Sequence, residues 1–121
     1  MKELLEKVIS QNLSKVQEFI DGYDEMDNIY NSMKTIASEY VNFDFQKMEE
    51  DFNIFLENFE DEIISICKGH ISLATMKQIE DTFSKYKEIE GFMNGVWDEE
   101  LFKNFSNDLE KLKQTLTNEG T

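Results

Sequence analysis

No proline occurs in this chain, and glycine is confined to positions 22, 69, 91, 95 and 120. These are the two residues that most often stop a helix, so a chain this poor in both has long stretches free to coil. The apolar residues supply the period. Ile9, Val16, Tyr23, Tyr30 and Ala37 recur every seven positions, as do Leu5, Phe19, Met26, Met33 and Tyr40, with the polar Asn12 filling one slot of the second series. Both series keep phase across Gly22, which predicts one helix over residues 2–40, about 57 Å long at 1.5 Å per residue. Gly22 is its weak point, because a helical glycine costs about 1 kcal/mol relative to alanine and marks a site for a kink.

The punctuation beyond residue 40 predicts three more helices. After a Val41-Asn42-Phe43 link, Asp44 is placed to cap a helix over 44–68, carrying Phe45, Phe52, Phe59 and Ile66 beside Met48 and Phe55. Gly69 closes it in the left-handed conformation, with Ile71 folding back on the last turn. Ser72 or Thr75 begins a helix over 72–94 bearing Met76, Ile79, Phe83, Tyr86 and Met93, which the Gly91–Gly95 neighbourhood stops. Asp98 caps the last, over 98–117, with Glu99 and Glu100 in its first turn and Lys111 and Lys113 near its end, the order the helix dipole favours. Its buried stripe is Phe102, Phe105, Leu109, Leu112 and Leu116, and the final TNEGT is expected to fray.

The expected fold is therefore all-α: a single domain over residues 1–121, a small bundle of about four helices with a long N-terminal one. A chain of 121 residues, 40% of them apolar, fills one core and would make two marginal ones. The first helix outruns its partners, so it either bends at Gly22 or leaves heptads uncovered. Uncovered tyrosine and methionine there would pair with a second copy, as a homodimer, or with a partner protein.

Charge narrows the class of partner. The 26 acidic residues face 12 basic ones, all lysines, for a formal charge of −14. Nucleic-acid phosphates and anionic lipid are held by basic side chains, so direct contact with either is disfavoured and a basic protein partner is the complement. The charge concentrates in DFQKMEEDFNIFLENFEDEII, residues 44–64, with eight carboxylates against one lysine. Turning its phenylalanines inward puts Glu50, Glu57, Glu60 and Asp61 outward, successive charges about one helical turn or 5–6 Å apart, close to the interval between phosphates. Ile54 and Ile64 lie on the same side. These six residues form the candidate partner-binding surface, the plain alternative being a face that serves only solubility.

Nothing in the sequence assembles a reactive centre, so no enzyme activity and no cofactor are expected. Cys67 and His70 are too few for a structural zinc site, and a single histidine excludes the paired Glu-x-x-His motifs of a di-iron bundle. The run DGYDEMDN, residues 21–28, has its glycine second where a calcium loop needs it sixth. Cys67 has no histidine upstream to activate it and fits a small core position. A lone cysteine suits a reducing compartment. Glu3, Glu6 and Lys7 interrupt the apolar N-terminus, unlike a signal peptide, and no apolar run approaches the ~18 residues of a membrane span, so a cytoplasmic location is expected, or export by a route that reads something other than a cleaved signal.

Trp97 in NGVWDEELFKNF resembles the Trp-x-Gly turn joining the two helices of small secreted helical-hairpin proteins, over about a dozen residues and with Glu99 where their glycine stands. Tyr23 and Asp27 match the Tyr-x-x-x-Asp spacing of the export signal such proteins use. That resemblance implies a secretion adaptor or carrier binding through an apolar helix seam. Trp97 also fits an ordinary core plug beside a turn. Charge and composition point instead to a non-enzymatic inhibitor or immunity factor that occludes a basic, nucleic-acid-handling partner. A phage anti-defence protein of the anti-CRISPR kind and a nuclease-toxin immunity protein both meet that description.

Overall fold

The computed structural model describes residues 2–33, 45–87 and 97–120, which form four helices: α1 (Lys2–Met33), α2 (Phe45–Cys67), α3 (Leu73–Lys87) and α4 (Glu99–Gly120). No strand occurs among the described residues. Residues 34–44 and 88–96 lie outside them, and with them the expected ends of the first and third helices, the Asp44 cap and the Gly91–Gly95 stop.

Local chemistry accounts for the visible helix ends. Gly69, at φ 87°, is the left-handed residue that closes α2, and His70 N–H donates to Cys67 C=O at 2.9 Å. Ile71 then returns to pack on the core. Of the two candidate starts for α3, Ser72 is the cap: its hydroxyl oxygen accepts the Thr75 N–H at 3.2 Å. Asp98 caps α4 by accepting the Leu101 N–H at 2.9 Å. At its other end α4 runs to Gly120, past the expected end at residue 117, and there the Glu119 carboxylate accepts hydrogen bonds from Ser72 N–H and the Thr75 hydroxyl.

Each helix packs on its neighbours in the order α1–α2–α3–α4 and back to α1, an up-and-down ring around one core. Aromatic rings form its centre. Phe59 meets Phe83 edge-on at 5.1 Å, Phe105 contacts both, and Tyr86 lies 4.6 Å from Phe105. Trp97, 4% exposed, seals one end against Phe52 at 4.9 Å. It is thus a core plug, and Asp98 beside it begins α4. In α1 the buried set is Leu5, Val8, Ile9, Asn12, Val16, Ile20 and Tyr23. Asn12 is accommodated because its side-chain amide donates to Val8 C=O at 2.8 Å, leaving no orphan donor in the seam.

Of the two courses open to the first helix, the structure takes the uncovered one: α1 is continuous through Gly22, no residue from Asp24 to Ser32 is buried, and Ile29 and Tyr30 are 40% and 37% exposed. The excess length is uncovered, because 32 residues reach about 48 Å against about 35 Å and about 33 Å for the 23 of α2 and the 22 of α4, the helices on which α1 packs. In α2 the buried stripe is Phe52, Leu56, Phe59, Ile63 and Cys67, with Phe55 and Ile66 only half-buried. Packing against α1 on one side and α3 on the other turns the helix toward Leu56 and Ile63, and that rotation carries Glu60 inward.

Candidate partner-binding face

On α2 the outward line runs Glu50, Ile54, Glu57, Asp61, at the four-three-four spacing that keeps residues in register along one helix face. All four are exposed, Ile54 by 57%. Among the described residues, neither Glu50, Glu57 nor Asp61 has a side-chain hydrogen bond or an ion pair. The nearby Lys47–Asp51 pair, 3.4 Å and open to solvent, is a weak local contact along the same helix.

The other two expected members of the surface belong elsewhere. Glu60 is 7% exposed and pairs with Lys87 at the end of α3, so it joins two helices and is closed to a partner. Ile64 is half-buried and packs on the core. The physical reason is the same for both: they lie on the α3 side of the line, where the neighbouring helix covers them. A lysine late in the third helix was the one sequence signal that could have flagged Glu60, and nothing local marks Lys87 over the other lysines.

The surrounding charge is one-sided. α1 carries seven carboxylates against three lysines and α2 seven against one, whereas α3 carries two against three. Among the described residues, the ion pairs between helices fall at α2/α3 (Glu60–Lys87), α3/α4 (Lys85–Asp108, 3.2 Å) and α1/α4 (Glu6–Lys113, 3.9 Å). The α1/α2 side, where the acids concentrate, has none. Its carboxylates sum into a negative potential directed at solvent.

Perturbed groups lie away from this face. Tyr86 donates to the Asp108 carboxylate; burial above all, then that bond and the carboxylate's charge, push the phenol well above its ordinary value. For Asp108, burial opposes ionisation, but bonds from Tyr86 and Lys85 and the charges of Lys85 and Lys111 outweigh it and hold the carboxyl below the usual range. Burial likewise raises the Cys67 thiol. Cys67 is buried while His70 is exposed on the turn, so the two share no site. No group of three or more His, Cys, Asp or Glu able to hold a metal occurs among the described residues. Tyr23, raised chiefly by burial and then by Asp27 and Asp24, sits with Asp27 inside the continuous α1. No described helix is long and apolar enough to cross a membrane. No family model, curated protein or solved structure matches the chain.

Proposed function

We propose that this chain is a non-enzymatic binding protein that covers a basic, nucleic-acid-handling protein surface, in the manner of an anti-defence or nuclease-immunity factor. The observation that carries the proposal is the Glu50–Ile54–Glu57–Asp61 line: three carboxylates with no side-chain partner among the described residues, spaced two turns and then one along a single helix face, around an exposed isoleucine. The charges approximate a phosphate row and steer a basic surface inward, while Ile54 supplies apolar contact at short range.

The test is a charge reversal confined to that line. Glu50, Glu57 and Asp61 are replaced with lysine, and a control reverses the exposed Glu3, Glu80 and Glu100, with the same change in net charge. Proteins captured from the native host by the unaltered chain are then compared across both variants. A specific basic partner should be lost by the first variant and kept by the second. Equal capture by both would remove the α2 face as the site.

A secretion adaptor or carrier is favoured by one separate observation, the uncovered end of α1 with Ile29 and Tyr30 exposed. Salt separates the two functions. Binding through the acidic line weakens steeply as ionic strength rises, whereas binding through an apolar seam holds.

A further inference from the structure

The start of α3 is held twice. Ser72 caps it locally through Thr75 N–H, and its own N–H donates across the bundle to Glu119 Oε1 at 2.7 Å. The Thr75 hydroxyl donates to the other carboxylate oxygen and lies 3.1 Å from the Ser72 hydroxyl, so one carboxylate organises both residues from 44 to 47 positions away. Thr75 is 7% exposed, so its hydroxyl end of the contact is covered by the bundle, while the Glu119 side chain approaches it from the solvent-exposed face of α4. The carboxylate stays below the usual range through the Thr75 and Ser72 bonds, which favour its charged form.

Apolar burial at the two segments it joins is modest, with Ile71 half-buried on the core. Residues 68–70 form an exposed turn around the left-handed Gly69, and Leu73, 84% exposed, adds no burial. The last turn of α4 contributes only Leu116 to the core, and Thr117 Oγ1 is buried without a hydrogen-bond partner. Helix ends in this state open first, each on its own, unless something couples them. Immediately before the turn stands Cys67, the single cysteine of the chain, fully buried, whose carbonyl is part of the same turn.

We propose that Glu119 is a latch that makes the last turn of α4 and the α2–α3 turn open and close as one unit, the Cys67 thiol being accessible only when the latch is open. It gives the bundle a local opening at one end that is independent of global unfolding.

Cys67 provides the readout, since a thiol reagent can modify one site only. Labelling is followed under native conditions for the unaltered protein, Glu119→Ala, Glu119→Gln and a control, Thr115→Ala, which removes an exposed hydroxyl bonded within α4. Both Glu119 variants should label several-fold faster, the control should not, and denaturant midpoints should stay nearly constant. Amide exchange should accelerate together at residues 72–76 and 116–119. Unchanged labelling would overturn the proposal, as would faster labelling that tracks an equal loss of global stability, or exchange that rises at only one of the two segments.

Discussion

Two acids one turn apart on α2 have opposite standing. Glu57 is exposed with no side-chain partner among the described residues, whereas Glu60 reaches Lys87 across the α2/α3 groove at 7% exposure. Removing one member of a mostly buried charged pair strands the other, so Glu60→Ala should cost about 1–3 kcal/mol in urea unfolding. Glu57→Ala should leave stability essentially unchanged. Tyr86 and Asp108 make the pH dependence asymmetric. The Asp108 carboxyl is depressed in the folded state, so its contribution is present above the ordinary carboxylate range and is lost as pH falls through the folded value. The Tyr86 phenol is raised, so its contribution is complete below the ordinary value of 10.0 and is lost as pH rises beyond it. Unfolding curves of Asp108→Asn and the unaltered protein should therefore converge in acid, and those of Tyr86→Phe should converge with the unaltered protein in strong alkali. A constant gap at all pH values would mean the Tyr86–Asp108 bond is not coupled to titration.

For the helices, Gly22 and Gly69 should respond in opposite directions to the same substitution. Gly22 lies within α1, and a Cβ added there meets nothing within 4 Å. Gly22→Ala should stabilise by about 0.5–1 kcal/mol through backbone entropy and helix propensity. Gly69 also has open space around it, but its φ of +87° is one that L side chains rarely adopt, so Gly69→Ala should destabilise by about 1–2 kcal/mol. Thermal unfolding of the pair decides whether conformation, and not room for a methyl group, governs these positions. A stabilised Gly69→Ala would mean that α2 does not need its left-handed close.

Across the whole molecule, topology sorts the charge. The ring order sets the two most acidic helices, α1 and α2, side by side and places α3, with more lysines than acids, beyond them, so the negative charge of the described helices is concentrated on one flank. Affinity for a basic partner should fall with salt, and the dependence should become shallower when Glu50, Glu57 and Asp61 are reversed, as fewer attractive charges remain to be screened. An affinity that does not change between low and high salt would place binding on the exposed end of α1.

Helix number, the Gly69 and Asp98 boundaries, and the α4 stripe of Phe105, Leu109, Leu112 and Leu116 were legible from the sequence, because each depends on interactions within a few residues: caps, left-handed glycine and apolar period. So was the exposure of four of the six candidate surface residues, since Glu50, Ile54, Glu57 and Asp61 lie diametrically away from any apolar centre α2 could choose. The period did not settle the rotation of α2. Phe52, Phe55, Leu56, Phe59, Ile63 and Ile66 spread over a wide arc, and a helix with so broad an apolar face takes its final angle from its neighbours. Packing against α3 therefore decided that Leu56 and Glu60 face inward, and the lengths of α2 and α4, both shorter than α1, decided that α1 would be buried only as far as Tyr23. Glu119 belongs wholly to the tertiary structure: by itself it is an acid in a polar tail, and only the return of α4 alongside α3 brings its carboxylate to the amide and hydroxyl donors of Ser72 and Thr75, 44 to 47 residues away.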